Sequence, residues 1–167
     1  MSETAQQPTA PLVVNLQYVK DLSFEVPGAP LVYTTLRRAP RVEINLDVQA
    51  RRLTEGQNSF EVGIAIRAEA FDPAPAAGTE AGRIFLADLV YAGVFTLNGI
   101  PEASMEPVLL VECPRLLFPF ARDVLATETR DGGFPPVLLQ PIDFLVLWQT
   151  RRAQGAGAGL QNGVGNA

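Results

Sequence analysis

The chain has 167 residues, about the length of one domain, and 47% of them are hydrophobic. That is enough to bury one core, and the chain is too short for two ordinary ones. Thirteen lysines and arginines stand against 18 aspartates and glutamates, so the net charge is −5. An acidic chain without a basic cluster is not expected to have nucleic acid or an anionic membrane as its main partner.

The sequence contains no histidine. This removes histidine-based acid–base catalysis, the Ser-His and Cys-His nucleophile pairs, and the usual zinc or copper sites. The single cysteine, Cys113, cannot form an internal disulfide and has no base beside it, so we expect a buried structural thiol.

Composition divides the chain into three segments. Residues 1–11 are polar and predict a disordered leader, residues 12–152 predict one folded domain, and residues 153–167 predict a flexible tail rich in glycine and alanine. The leader lacks the basic and apolar stretches of a signal peptide, and no apolar run reaches the ~20 residues that a membrane span needs. We therefore expect a cytoplasmic protein without direct membrane insertion.

Alternation of apolar with polar or small residues predicts antiparallel strands in the first part of this domain. The pattern is weak over residues 12–19 and strong over residues 41–50 and 60–69, where every even position is apolar. Residues 55–58 predict a hairpin turn between the last two strands, and residues 72–78 predict a longer loop.

The fourth apolar run, residues 84–95, is apolar on both faces apart from Asp88. A strand of this composition is usually covered on both sides. No other part of the chain looks able to cover the second side, so the pattern predicts contact with another subunit.

After Gly99 the hydrophobic period changes to that of a helix. Pro101 opens a short helical segment that runs through Leu110. Pro114 starts a second helix, which the sequence Asp131-Gly132-Gly133 ends.

The last part of the domain begins with an extended connector, residues 134–140, because two consecutive prolines exclude a helix there. Pro141 then opens a terminal helix with Asp143 in its first turn. This helix is apolar around nearly its whole circumference, so it must bury more than one face.

Candidate catalytic groups are few. Asp21, Glu25 and Asp88 could form a carboxylate cluster for acid–base chemistry, but a solvated acidic face is the more common arrangement. No glycine-rich phosphate loop stands between a predicted strand and a predicted helix. The residues therefore predict no catalytic site, no metal site and no cofactor.

The remaining feature is a surplus of apolar side chains. They could simply pack the sheet against the helices, or part of the set could line a groove for extended apolar peptide, which binds by burial without demanding a sequence. A carrier for one apolar small molecule and a structural oligomer are the alternative functions. The candidate groove residues are Val42, Ile44, Leu46, Phe134, Leu138, Phe144 and Trp148.

Several long motifs resemble the signature of the SecB family of bacterial protein-export chaperones. They are VKDLSFEVPGAP at residues 19–30, Gly99-Ile100, CPRLLFPFAR at residues 113–122 and GFPPVLLQPIDF at residues 133–144. Taken together, the likeness covers about residues 12–150 in the order of the family.

The resemblance implies an α+β subunit with a four-stranded antiparallel sheet followed by C-terminal helices, assembled as a homotetramer that is a dimer of dimers. It also implies an ATP-independent chaperone that holds unfolded precursor proteins in an export-competent state. Such a chaperone delivers its clients to the SecA motor of the Sec translocon and needs no cofactor.

The resemblance also assigns surfaces. The basic, zinc-bearing C-terminal segment of SecA would contact an acidic outer face of the sheet at Asp21, Glu25, Leu86 and Asp88. The opposite face of the fourth strand maps to positions linked with tetramer assembly, namely Ala87, Leu89 and Tyr91. The client groove maps to the candidate residues on the second strand, to the connector at Phe134 and to the last helix.

Overall fold

The structure, a computed structural model, describes residues 9–75 and 82–155. The predicted leader and tail lie partly outside these ranges, as does the end of the predicted loop at residues 72–78. In chain order the elements are β1 (Leu12–Glu25), α1 (Val32–Thr35), β2 (Arg41–Arg52), β3 (Ser59–Phe71), β4 (Arg83–Leu97), α2 (Glu102–Pro107), a π-helical turn (Val108–Glu112), α3 (Cys113–Asp131) and α4 (Phe144–Gln154).

The four strands form one antiparallel sheet in the order β1-β4-β3-β2, so β1 and β2 are its edges. The predicted four-stranded antiparallel sheet followed by C-terminal helices is confirmed. Strand β1 extends beyond residues 12–19, where the sequence showed a weak alternation. Its register against β4 shifts twice, between Val14 and Leu16 and between Val19 and Asp21. Each irregularity changes which residues face the core, and this blurs the period of two.

Helix α3 covers one face of the sheet. The even positions of β3 from Phe60 to Ala68 and the odd positions of β4 from Ala87 to Leu97 lie on this face, in one core with Leu117, Ala121 and Leu125 of the helix. The approach is close at Gly93 of β4, where a Cβ atom would lie only 2.9 Å from the Cδ2 of Leu117. A glycine in the centre of this strand therefore allows the helix to pack directly on it.

This packing bears on one sequence-based expectation. We expected another subunit to cover the second side of the fourth strand. Helix α3 of the same chain packs on the side that carries Ala87, Leu89 and Tyr91, and cover by another subunit on the outer side, which carries Leu86 and Val90, stays a prediction. The sequence did not reveal the position of α3 because helical periodicity does not say which face of a sheet the helix will occupy. The role of these three residues in tetramer assembly stays a prediction.

The helical segments are continuous from Glu102 to Asp131, where the sequence predicted two separate helices. The π-helical turn joins α2 to α3 between Pro107 and Pro114. Proline lacks an N–H and crowds the preceding turn, and a widened turn accommodates both effects without ending the helix. The predicted end at Asp131 is confirmed.

Helix α4 begins at Phe144, three residues later than predicted. Asp143 is its N-cap, and one carboxylate oxygen accepts hydrogen bonds from the N–H groups of Leu145 at 3.0 Å and Val146 at 3.1 Å. The connector at residues 134–140 contains no helix or strand, as predicted. Within the described ranges, no helix has both the length and the apolar character to span a membrane.

A buried carboxylate on the outer face, the face away from α3, ties three strands together. The Glu61 side chain on β3 is only 6% exposed. It accepts hydrogen bonds from the Tyr18 hydroxyl at 2.5 Å, the Lys20 Nζ at 2.9 Å and the Arg51 Nε at 2.6 Å. Burial alone would raise the pKa of Glu61, but these donors and the charge of Arg51 outweigh it and lower the pKa to about 2.

The substitution Glu61→Gln keeps the side-chain shape but removes the charge, so we expect it to lower the free energy of unfolding at pH 7 by about 1–3 kcal/mol. Because the folded-state pKa is near 2 and the ordinary value is 4.5, the carboxylate stabilises the fold above about pH 4.5. This contribution is lost as the pH falls toward 2. Urea unfolding of both proteins across this range should show the difference shrinking.

Glu43→Gln is the matched control, because Glu43 is exposed and, among the residues that the structure describes, forms an ion pair with Arg41 alone. It should change the free energy of unfolding little at any pH. If the effect of Glu61→Gln stays constant between pH 7 and pH 2, Glu61 acts through packing and the electrostatic explanation is wrong.

Candidate binding surfaces

The four residues assigned to SecA by resemblance lie together on the outer face. The register places Glu25 opposite Leu86, Ser23 opposite Asp88 and Asp21 opposite Val90. Residues directly opposite in an antiparallel pair share a face, and positions two apart along a strand share it too. Asp21, Glu25, Leu86 and Asp88 therefore form one patch across β1 and β4, which we call the acidic patch.

The charges in this patch are not equivalent. Asp21 and Glu25 are exposed and belong to no ion pair within the described part of the chain. Asp88 pairs with Arg67, with 3.1 Å between its Oδ2 and the Nη1 of the arginine. Leu86 is buried. Most of the available negative potential of the patch thus comes from β1.

The predicted groove residues Val42, Ile44 and Leu46 lie on the α3 side of the edge strand β2. Val42 and Leu46 are half-buried against the core, whereas Ile44 is 39% exposed. Together these three residues present a partly open apolar stripe beside the covered part of the sheet.

The backbone of β2 is also available, except at the Leu46 carbonyl, which accepts a hydrogen bond from Arg151. The N–H of Leu53, an odd position, donates to the carbonyl of Ser59 on β3. Backbone direction alternates along a strand, so the even positions from Val42 to Ala50 point their N–H and C=O groups toward the free edge. Within residues 9–75 and 82–155, no strand pairs with that edge.

The other predicted groove residues divide into two groups. Phe134 and Phe144 are buried in the protomer: Phe134 packs 5.0 Å from the ring of Phe85, and Phe144 packs edge-on against Phe118 at 5.7 Å. In contrast, Leu138 is 57% exposed. Trp148 is half-buried, and its indole N–H donates to Glu106 at 3.1 Å.

Two exposed apolar residues near Phe134 were missed in the sequence analysis. Leu31 is 71% exposed, and the ring of Tyr33 in α1 packs at a tilt against Phe134, with 5.3 Å between centroids, while its hydroxyl donates to the carbonyl of Gly132 at 2.7 Å. An available signal was the apolar run Leu31-Val32-Tyr33 in a short connection, where polar residues are usual. Leu145 and Val146 of α4 add further exposed apolar surface.

The outer surface of α3 carries its own apolar patch. Leu116 and Phe120 are exposed, and the Phe120 ring lies parallel to that of Tyr91 at 6.2 Å between centroids. Of the three residues assigned to assembly, Ala87 and Leu89 lie beneath α3, and Tyr91 is adjacent to the surface through Phe120.

The described residues offer little for catalysis or metal binding. Cys113 is buried as predicted, and burial, followed by the charge of Glu112, raises the pKa of its thiol to about 12. A protonated thiol is a poor nucleophile and a poor metal ligand. In the same ranges, no three Cys, Asp or Glu side chains come together as a possible metal site.

Comparisons with known proteins identify the family of the chain. The family model for SecB, described as preprotein translocase subunit SecB, matches residues 4–155. Protein-export protein SecB of Acidiphilium cryptum is 62% identical, over 97% of this chain and 99% of the relative. The protein of the same name from Granulibacter bethesdensis is 63% identical, over 99% of this chain and 94% of the relative.

A solved structure has the same fold. It is a SecB-like chaperone of Mycobacterium tuberculosis in complex with a peptide from the HigA1 antitoxin. The TM-score is 0.61 and the identity 14%, and the match covers 78% of this chain and 90% of that one. With the family match and the two close relatives, these findings show that the chain belongs to the SecB family of protein-export chaperones.

Proposed function

We propose that this chaperone binds unfolded precursor proteins in the cytoplasm along the inner side and free edge of β2, and that it delivers them to SecA. The observation that supports this most directly is the combination at Val42, Ile44 and Leu46. Their apolar side chains are partly exposed, and their backbone groups face an edge of the sheet with which no strand pairs in the described chain.

The chemistry of this edge favours an extended client. A client segment can add a strand to β2, where main-chain hydrogen bonds give affinity without reading a sequence. Its apolar side chains then pack beside Ile44 and continue the covered face. A folded protein has most of its backbone groups already paired, so binding favours unfolded chains and shifts the folding equilibrium by mass action, without nucleotide and without catalysis.

The apolar residues around Phe134 extend this surface beyond one strand. Leu31, Tyr33 and Leu138 are exposed there and give a long client further places to bury side chains. The peptide in the Mycobacterium tuberculosis complex is a ligand of the same chemical class. In the proposed mechanism, Phe134 and Phe144 hold the connector and α4 in place and the exposed residues make the contacts.

The acidic patch is the proposed docking surface for the basic C-terminal segment of SecA. Asp21 and Glu25, which form no ion pair with another described residue, would attract a basic segment, whereas the apolar client surface is on the other side of the sheet. Separate faces allow client and SecA to be bound at the same time. The attraction should weaken as the salt concentration rises.

Assembly as a homotetramer, a dimer of dimers, completes the proposal. The exposed Leu116 and Phe120 on α3 provide apolar surface for contact with a second copy, and Ala87, Leu89 and Tyr91 support α3 from below. Several client surfaces on one assembly raise the effective concentration for successive client segments. Individually weak sites then retain a client for a long time.

The wild-type protein is expected to slow the refolding of an unfolded precursor at a near-stoichiometric ratio without ATP.

Ile44→Asp should weaken client binding about fivefold, the loss of roughly 1 kcal/mol from a partly buried isoleucine contact. Titration calorimetry with a permanently unfolded protein measures this. Leu53→Asp, at an equally exposed leucine (39% for both residues), is the control and should bind normally. Unchanged refolding with tight binding of a small hydrophobic molecule would favour the carrier function.

The double substitution Asp21→Asn and Glu25→Gln removes the unpaired charge of the acidic patch. We expect SecA binding to weaken, most strongly at low ionic strength, while client affinity stays the same. Surface plasmon resonance at several salt concentrations measures both. Glu55→Gln, in the β2–β3 hairpin turn, removes one exposed carboxylate outside the patch and is the control. Loss of client binding with retained SecA binding would show that the patch is misassigned.

Phe120→Ala removes the most exposed aromatic side chain of α3. We expect the variant to shift the assembly toward smaller species, because apolar area at the proposed interface is lost. Sedimentation velocity over a range of concentrations measures the change, and circular dichroism checks the fold. A wild-type chain that sediments as a monomer at all concentrations would contradict the proposed tetramer.

A further inference from the structure

Arg151, in the last turn of α4, reaches across the free edge of β2. Its Nη2 donates to the carbonyl oxygen of Leu46 at 2.6 Å, and its Nη1 forms an ion pair with Asp47. Leu46 presents its backbone at the edge, and the side chain of Asp47, an odd position, lies on the outer face. One guanidinium therefore extends from the helix side, over the edge, to the outer face. It lines a depression of about 310 Å³ together with Asn45, Ala65 and Arg67.

The contact lies in the middle of the edge. Five even positions, from Val42 to Ala50, point their backbone groups outward, and Leu46 is the third of them. An added strand would lie about 4.8 Å from β2. A side chain that hydrogen-bonds to the Leu46 carbonyl occupies this space. A client can then pair with either half of β2 but cannot pass Leu46 without displacing Arg151.

We propose that Arg151 is a latch that closes the client edge in the empty chaperone and must leave when an extended client pairs along β2. This inference rests on the proposed function and adds a regulatory contact to the same site. A client N–H replaces the guanidinium at the Leu46 carbonyl, and the carboxylate of Asp47 becomes free on the outer face.

The contacts of Arg151 with Leu46 and Asp47 are favourable in the empty protein, but an incoming client can displace them. A charge-assisted hydrogen bond to a carbonyl is favourable, but the two side chains of the ion pair are 39% and 49% exposed, and a pair so exposed to water contributes little. Release needs no unfolding of α4, because the buried Phe144 and the cap at Asp143 anchor the other end of the helix. Rotation of one arginine side chain is sufficient.

Arg151→Ala tests the latch. The probe is reduced, carboxymethylated α-lactalbumin, which cannot fold, and the measurement is titration calorimetry. Because the variant has no contact to displace, we expect it to bind the probe about three- to tenfold more tightly than the wild type. Asp47→Asn, which keeps the Leu46 contact and removes the ion pair, should give a smaller increase. Affinity that is unchanged or lower in both variants would overturn the proposal.

Arg130→Ala is the matched control, because it removes one exposed arginine that pairs with the adjacent Asp131 at the end of α3. It should bind the probe like the wild type, and an equal gain there would mean that net charge, and not the latch, sets affinity. Hydrogen exchange gives a second readout: client binding should protect the amide of Leu46 in the wild type. If the wild type binds no unfolded probe, the proposed function fails. If it binds and Arg151→Ala gains nothing, only the latch fails.

Discussion

The direct contact between α3 and the centre of β4 is the constraint on which the other surfaces depend. A Cβ atom at Gly93 would lie 2.9 Å from both Leu117 and Phe95, so the helix is seated as deeply as the backbone allows. A helix is about 10 Å across and strands are about 4.8 Å apart, so one helix covers about two strands. Strands β3 and β4 are covered, and β2 remains partly open. The proposed client surface is the part of the sheet that this single helix does not reach.

Successive side chains of a strand point to opposite faces of the sheet, so the proposed surfaces for SecA and for the client lie on opposite faces. Leu86 and Asp88 lie on the outer face, and their neighbours Ala87 and Leu89 lie beneath α3. One strand thus serves the proposed SecA surface and the core that supports the helices. Arg151 is different, because it contacts an edge carbonyl and an outer-face carboxylate at the same time. This single side chain therefore links the free edge of β2 to the outer face of the sheet.

Local pattern predicted more of this fold than of its surfaces. Strict alternation identified β2 and β3, but the two register shifts in β1 and the N-cap role of Asp143 depend on partners that a periodicity does not contain. Motif resemblance placed the acidic patch on one face. Burial could not be assigned in the same way: Phe134 and Leu138 lie four residues apart in one apolar connector, yet only tertiary packing decides that the first is buried and the second exposed. The contact between Arg151 and Leu46 joins residues 105 positions apart.

The strand order also has a consequence during synthesis. Strand β1 is made first, but its only partner in the described sheet is β4, which ends at Leu97. Strand β1 can pair along its whole length only after the chain has been made from Glu25 to Leu97, 72 residues later (97 − 25), and such non-local pairing is slow. Until then the nascent chain carries a long amphipathic segment, β1, whose partner strand in the described sheet has not yet been made. At that stage the polypeptide is in the same condition as the precursors that its family protects.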